Sequence, residues 1–213
     1  MHHLHPKVHS AVVGSDLVLL DLRSGRYYCL ADCAPLLKAG SGGRTLEPGQ
    51  RQIPCFEPAI LSPQLTPVWP PPRPTLEPTS DLLHLAMVPQ GRPSAGRFLA
   101  ATSDALLRYP RRTFGALVAE AVRSRSPSVI QDPQSLASAI AFNGFAPYLP
   151  VGAKCLLRSY LLLRQLWREG LDAAWVFGVR TYPFAAHCWL QSGEVVLDDH
   201  WERVSAYQPI LAV

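Results

Sequence analysis

The first 30 residues carry a pattern of apolar and polar positions that predicts β-structure. Residues 17–22 and 26–30 are rich in strand-forming side chains, and the turn signal Ser24-Gly25 between them predicts a β-hairpin. Residues 11–13 are a candidate third strand. The exposed edge of such a hairpin is a common place for a peptide to bind as an added strand. The start of the chain is therefore a candidate peptide-binding module.

Helical spacing of apolar residues dominates the middle of the chain. Asp132 followed by Pro133 is typical of a helix start, and Gly170 is typical of a helix end. A shorter helix is expected just before Gly40. The predicted helices are residues 34–39, 94–109, 113–123, 132–145 and 153–169.

The last 40 residues change to a pattern that predicts an antiparallel sheet. Residues 173–179 are an apolar run typical of a buried strand. Residues 186–191 and 194–198 flank a Ser-Gly turn signal and predict a hairpin. Residues 209–213 are a candidate last edge strand. Helices followed by an antiparallel sheet indicate an α+β domain.

Proline marks the clearest boundary in the chain. Of the 21 prolines, 12 lie between residues 48 and 93, and the segment 67–74 cannot form a helix or a central strand. It is expected to be an extended polyproline-type connector. The predicted division is an N-terminal domain of residues 1–66, a linker of residues 67–93 and a C-terminal domain of residues 94–213.

Composition narrows the class of protein. Hydrophobic residues make up 48% of the 213 residues and charged residues 17%, which supports a packed core and excludes wholesale disorder. No apolar run approaches the roughly 18 residues that span a bilayer, and the N-terminus lacks the apolar block of a secretory signal. A cytoplasmic protein is expected. The net charge of +4 is too small and scattered to indicate nucleic-acid binding.

The five cysteines are an odd number and are expected to be free thiols in a reducing compartment. Cys155 falls in the first turn of the predicted helix 153–169, where free amide groups, the helix dipole and Lys154 favour a thiolate. The same amides could hold an oxyanion. The alternative is an inert cysteine packed among leucines.

His187 supplies a partner for that thiol. It lies on a predicted strand, and Asp198 and Asp199 lie on the strand that follows the turn. A tight Ser-Gly turn places Asp198 opposite His187, and a turn one residue longer places Asp199 there. Either carboxylate would orient the imidazole, as an activated thiol nucleophile requires. Cys188 points to the opposite face of the sheet and is assigned to the core.

Zinc binding is the competing chemistry. Cys155, His187, Asp199 and His200 are possible ligands, but they lack the close paired spacing of ordinary zinc sites, so no metal is predicted. The histidines within residues 2–9 are expected to lie on a solvated tail.

Five motifs in the second half of the chain resemble the lasso-peptide maturation peptidase, which is the transglutaminase-like B protein of lasso-peptide biosynthesis. The order and spacing of these motifs agree with that family over about residues 130–213. The motifs are residues 155–160 (CLLRSY), 167–173 (WREGLDA), 177–184 (FGVRTYPF), 186–189 (AHCW) and 196–199 (VLDD).

The resemblance implies a transglutaminase-like, papain-like cysteine protease domain. By motif position, the catalytic residues of the family fall on Cys155, His187 and Asp199. Asp198 takes the place that the family often fills with asparagine. The implied reaction is hydrolysis of the bond between leader and core of a lasso precursor, through a thioester on Cys155.

Residues 16–21 (DLVLLD) and 25–30 (GRYYCL) resemble the PqqD-like leader-recognition domain, a winged-helix-like module. The resemblance implies that the leader docks as an added strand at this edge, with Tyr27, Tyr28 and Leu30 as leader-binding residues.

The resemblance also implies two partners: the lasso precursor peptide, and an asparagine-synthetase-like cyclase that closes the macrolactam with ATP. No nucleotide motif is evident in this chain, so ATP is a possible cofactor by resemblance only. Two other functions remain open at this point. One is a transglutaminase-like acyltransferase or transamidase with the same three residues, and the other is a non-catalytic precursor-binding scaffold.

Overall fold

The N-terminal half of the protein is built from strands. The computed structural model describes residues 2–40, 43–46, 60–82, 95–124, 133–148 and 154–213. The strands in the first three ranges are β1 (His2–Leu4), β2 (Val8–Val13), β3 (Asp16–Asp21), β4 (Arg26–Leu30), β5 (Leu37–Gly40), β6 (Gly43–Leu46), β7 (Leu61–Ser62) and β8 (Ser80–Asp81).

The C-terminal half contains helices followed by a sheet, as the pattern predicts. Its elements are α1 (Ala95–Arg108), α2 (Phe114–Ser124), α3 (Pro133–Phe145), α4 (Cys155–Arg168), β9 (Ala174–Arg180), β10 (Ala185–Ser192), β11 (Val195–Val196), α5 (Trp201–Val204) and β12 (Gln208–Ala212). The α+β class is confirmed, and each of the predicted helices after residue 93 matches an observed helix.

Two small antiparallel sheets form the N-terminal region. Strands β2-β3-β4 form one sheet and strands β5-β6-β1-β7 the other. Side chains alternate along β3, so that Leu17 and Leu19 pack in a cluster with Leu46 of β6, whereas Val18 and Leu20 face the other way. All six residues of β3 are buried as a result.

Val18 and Leu20 join the main hydrophobic core of the C-terminal half. Residues on both sides of the predicted linker therefore contribute to one core, and the backbone oxygen of Leu22 lies 2.6 Å from where a side chain on Gly115 of α2 would begin. The sheet β2-β3-β4 is consequently packed directly on the helical region. The division at residues 66 and 93 stays a prediction.

The C-terminal sheet has the strand order β12-β9-β10-β11-β8, with β8 parallel to β11 and the other pairs antiparallel. One face carries Trp175, and Tyr160 of α4 packs against it with ring centroids 6.1 Å apart. The other face carries Val176 and Trp189, which pack with Val204 of α5. The sheet is buried on both faces, and α4 is held against one of them.

The helix expected at residues 34–39 is wrong. Residues Ala34–Leu36 form a single 3-10 turn, and the chain then continues as β5, which pairs with β6. A helix of six residues is too short to be stable alone, whereas pairing with β6 satisfies the backbone groups and buries Leu46.

The N-terminal histidines do not form a solvated tail. Strand β1 pairs with both β6 and β7, and His9 on β2 is completely buried, with its ring 3.3 Å from the carbonyl oxygen of Trp69. Burial, with a smaller effect from Arg44, lowers the pKa of His9 to about 4, so this histidine is neutral at pH 7.

The proline-rich segment is extended, as predicted, and lies along the C-terminal half. The backbone amide of Arg73 donates to the carbonyl of Ala212 (2.8 Å), and its guanidinium pairs with Asp172 at 3.0 Å. Further on, β8 adds to the sheet beside β11. The winged-helix arrangement is not shown, because residues 2–40, 43–46 and 60–82 contain strands and 3-10 turns but no α-helix.

Within the ranges that the structure describes, none of the helices has the length and apolar character needed to cross a bilayer.

Gly178 on β9 leaves room for two aromatic side chains, and this predicts its response to substitution. A Cβ at this position would lie 2.8 Å from the ring of Trp189 and 2.8 Å from Cβ of Tyr207. We expect Gly178→Ala to lower the free energy of unfolding by about 1–3 kcal/mol through overpacking. The measurement is denaturant unfolding followed by circular dichroism.

Gly144 on α3 is the matched control, because no described atom lies within 4 Å of a Cβ placed there. Gly144→Ala should raise the free energy of unfolding by up to about 1 kcal/mol, since alanine is the better helix former. Equal effects of the two substitutions would contradict the packing shown around Gly178.

Candidate active site

Cys155 is the first residue of α4, as the sequence predicts. The backbone amide of Arg158 donates to the carbonyl of Lys154 at 3.1 Å, so the amides that precede Arg158 point out of the helix end. These donors and the positive end of the helix dipole favour negative charge on the thiol. The thiol is partly buried, between the helix and strand β10.

Two neighbours on β10 hold the Cys155 thiol. The side chain of Cys188 and the ring of His187 both hydrogen-bond to it, and the backbone of Cys188 adds a further hydrogen bond. Burial opposes ionisation, but these contacts outweigh it and lower the pKa of Cys155 to about 4. The thiol is therefore a thiolate at neutral pH.

His187 connects the thiol to a carboxylate. Its Nε2 lies 2.6 Å from Oδ2 of Asp199, and both side chains are almost buried. Burial alone would lower the pKa of His187, but the hydrogen bonds to Asp199 and Cys155 outweigh it and raise that pKa to about 9. The rings of Trp189 and Tyr207 lie against the imidazole, with centroids 6.3 Å and 5.4 Å away.

Asp199 is held as a carboxylate by its own partners. Burial alone would raise its pKa, but the hydrogen bond from His187 and the backbone amide of His200, 2.8 Å from Oδ1, keep the pKa below its usual value. Arg203 lies 3.4 Å from the same oxygen. The structure thus brings Cys155, His187 and Asp199 into one hydrogen-bonded chain.

The register expected for the hairpin is wrong, although one of its two carboxylates reaches His187. Gln191 pairs with Val196 across a turn at Gly193 and Glu194, so a continued ladder would place neither Asp198 nor Asp199 opposite His187. The ladder ends instead with the hydrogen bond from the Leu197 amide to the Leu190 carbonyl. The chain then leaves the sheet, and this departure lets Asp199 turn towards the imidazole.

Asp198 does not contact the imidazole in the described structure. Its carboxylate is buried, where it accepts hydrogen bonds from the hydroxyl of Ser159 (2.6 Å) and the backbone amide of Leu190 (2.8 Å). Burial raises the pKa of Asp198 to about 6 despite these donors. The two adjacent aspartates therefore have different surroundings.

Cys188 is the site residue that sequence reasoning missed. It is buried in the core, as predicted, but its thiol also hydrogen-bonds to that of Cys155, and burial together with this contact raises the pKa of Cys188 well above its usual range. Cys188 therefore stays protonated and can donate to the thiolate. Its position next to His187, on the face that α4 covers, is the signal that could have found it.

The three predicted leader-binding residues lie on β4 but not on one face. Tyr28 and Leu30 pack on the cluster between the two N-terminal sheets. Tyr27 faces the active site, where burial and the nearby Cys188 and Cys155 thiols raise its pKa. Its ring lies 6.2 Å from that of Phe184, in the turn before β10.

The zinc alternative has no structural support in the described ranges, which contain no group of three or more histidine, cysteine, aspartate or glutamate side chains placed to hold a metal ion. Its fourth proposed ligand, His200, is half-exposed and turned towards Asp81, 3.9 Å away.

Comparison with known proteins gives one family match and one partial match to a relative. Residues 98–212, more than half of the chain, match the transglutaminase-like superfamily. A stretch of 45 residues is 47% identical to the microcin J25-processing protein McjB of Escherichia coli, and covers 21% of this chain and 22% of that protein. The chain thus matches about a fifth of the length of this relative. None of the solved structures matches the chain.

The low pKa of Cys155 predicts how fast it reacts with iodoacetamide at different pH values. Its alkylation rate should rise through a midpoint near pH 4 and stay high at neutral pH, because the thiolate is the reacting form. Cys29 is the internal control, since it is exposed and burial raises its pKa. At pH 6, Cys155 should react at least about tenfold faster than Cys29.

The measurement is peptide mapping by mass spectrometry after timed alkylation. A Cys155 midpoint near the ordinary thiol pKa of about 8.5 would show that the thiol is not activated.

The contact between the two thiols predicts the effect of removing Cys188. Cys188→Ala should raise the alkylation midpoint of Cys155 by about one pH unit, because one hydrogen bond to the thiolate, worth about 1 kcal/mol, is lost. Cys33→Ala is the matched control, since Cys33 is equally buried but lies in the N-terminal cluster. An unchanged midpoint in Cys188→Ala, or an equal shift in Cys33→Ala, would contradict the contact.

Proposed function

The chain belongs to the transglutaminase-like superfamily, and on that premise we propose that it is a cysteine peptidase that removes the leader peptide from a lasso-peptide precursor. The observation that carries this proposal is the hydrogen-bonded chain Cys155–His187–Asp199, in which the thiol has a pKa of about 4 and the imidazole one of about 9. The stretch of identity with a microcin-processing protein supports the choice of substrate class.

In this pair the thiol has a lower pKa than the imidazole, which is the reverse of the order for the free side chains. Each catalytic role follows from that reversal. The thiolate of Cys155 attacks the scissile carbonyl carbon, and the amide groups at the start of α4 are donors for the oxygen that becomes negative. The protonated ring of His187 gives its proton to the leaving amine, which releases the core peptide. His187 then takes a proton from water, which hydrolyses the thioester, while Asp199 holds the ring in place.

The position of β4 supports leader recognition by the N-terminal region, in the manner of a PqqD-like domain. Strand β4 is the outer strand of the sheet β2-β3-β4, where an extended peptide can add as a further strand. Tyr27 on this strand lies near the two thiols, and the ring of Phe184, which is partly exposed, lies 6.2 Å from its ring. A leader bound along β4 would reach the catalytic thiol over a short path lined with aromatic rings.

The core peptide released by this reaction would be the substrate of an asparagine-synthetase-like cyclase that closes the macrolactam with ATP. We propose that the chain works beside such an enzyme, and that ATP is consumed there. The resemblance of the five sequence motifs to lasso B proteins supports this partner.

Incubation of a synthetic precursor with the protein in water enriched in oxygen-18 tests the proposal by intact mass. The wild type should release a leader whose new carboxylate carries one heavy oxygen, and the leader should gain about 2 Da. Cys155→Ala should abolish the reaction, and His187→Ala should slow it by about 10²- to 10⁴-fold without weakening leader binding. Cys33→Ala is the matched cysteine control and should cleave normally, because Cys33 lies off β4 in the buried N-terminal cluster.

A leader joined to an added amine, in place of a free carboxylate, would show acyl transfer and refute the peptidase. If the wild type binds the precursor but does not cleave it, the protein would instead be a non-catalytic precursor-binding scaffold.

A further inference from the structure

One buried carboxylate beside the active site has no part in the proposed reaction. Asp198 is only 6% exposed and precedes Asp199 directly in the chain. Its Oδ2 accepts the hydroxyl of Ser159 at 2.6 Å, and its Oδ1 accepts the backbone amide of Leu190 at 2.8 Å. A buried carboxylate needs hydrogen-bond donors, and these two contacts supply them.

The two partners of Asp198 belong to the elements that carry the reacting groups. Ser159 lies four residues after Cys155, and therefore one turn along the same face of α4. Leu190 lies three residues after His187 on β10. The carboxylate of Asp198 thus joins the helix that carries Cys155, the strand that carries His187 and the segment that carries Asp199.

A second route connects α4 to the same segment. The guanidinium of Arg158 donates to Oδ1 of Asn143 on α3 (3.2 Å), and the side-chain amide of Asn143 donates to the carbonyl of Leu197 (2.7 Å). Adjacent residues of α4, Arg158 and Ser159, therefore hold the two residues that precede Asp199. This matters because strand pairing ends before Asp199, and the sheet ladder does not position it.

We propose that Ser159 and Asp198 are positioning residues, whose hydrogen bond holds residues 197–199 on α4 and so fixes Asp199 against His187, the partner of Cys155. We call this Ser159–Asp198 hydrogen bond the clamp. Its role in catalysis rests on the proposed function. Its effect on the Cys155 thiolate does not, since the hydrogen bonds among Cys155, His187 and Asp199 exist without substrate.

The chemistry of the clamp makes Asp198→Asn a conservative variant. An asparagine can accept the Leu190 amide with its oxygen and donate to the Ser159 hydroxyl with its nitrogen, so both links survive without the charge. The charged groups that face Asp198 are Arg158 and Asp199, and the Cys188 thiol lies near it. Because burial raises the folded-state pKa of Asp198, its ionised form contributes least stability above about pH 6. Asp198→Asn should therefore be at least as stable as the wild type at pH 7.

The test compares Ser159→Ala, Asp198→Ala and Asp198→Asn with the wild type. Two readouts are used: the pH dependence of Cys155 alkylation, and kcat and KM for cleavage of the synthetic precursor. Ser159→Ala and Asp198→Ala should lower kcat by about tenfold or more with KM unchanged, and should move the alkylation midpoint of Cys155 upward. Asp198→Asn should stay within about threefold of the wild type in kcat and keep its alkylation midpoint.

Ser135→Ala is the matched control. Ser135 is an equally buried serine on α3 whose hydroxyl donates to the carbonyl of Asp172 at 3.2 Å. It should change thermal stability but neither the alkylation midpoint nor kcat. A folded Ser159→Ala protein with the wild-type alkylation profile and kcat would overturn the clamp, as would an Asp198→Asn protein as impaired as Asp198→Ala. Ser159→Ala decides the question if Asp198→Ala does not fold.

The two readouts also separate the clamp from the proposed function. If the wild type fails to cleave the precursor but Ser159→Ala still shifts the alkylation midpoint, the clamp stands and the proposed substrate is wrong. If the wild type cleaves and Ser159→Ala matches it in both readouts, the clamp alone is refuted.

Discussion

The ion pair between the Cys155 thiolate and the His187 imidazolium is the interaction on which the site depends. An isolated thiol and imidazole at neutral pH would both be uncharged for the most part. Here each charge stabilises the other, while the side chain and backbone of Cys188 act on the sulfur and Asp199 acts on the ring. The pair therefore needs three separate elements to meet within hydrogen-bond distance, which only a rigid core can provide.

That core extends across the N-terminal and C-terminal halves of the protein. Strand β3 is buried on both faces, and Val18 and Leu20 pack into the same core as α4. One consequence is that Tyr27 on the neighbouring strand β4 lies near the thiols of Cys155 and Cys188. Under the proposed function, a peptide held by the edge of β4 and a peptide bond attacked by Cys155 would be close together, so changes in the N-terminal sheet would affect the chemistry as well as binding.

The sequence predicted most of the secondary structure because periodicity and turn residues are local signals. The strands β2, β3 and β4 and the helices α1–α4 all lie within a few residues of their expected positions. The predictions that were wrong have the same cause, which is contact with segments distant in the chain. Residues 34–39 became a turn and a strand because β6 offered backbone partners, and His9 is buried because a distant segment at Trp69 covers it.

The sequence by itself determined that Cys155 lies in the first turn of a helix, that His187 lies on a strand and that two aspartates follow after one turn. The hairpin spacing left open which aspartate meets the imidazole, because a shift of one residue exchanges the two faces of a strand, and only the family resemblance pointed to Asp199. The physical reason lies in the tertiary structure. Ser159 on α4 and the Leu190 amide take Asp198 into the core, and the ladder ends early enough for Asp199 to reach the ring. The choice depends on hydrogen bonds between elements far apart in the chain, and no local pattern encodes them.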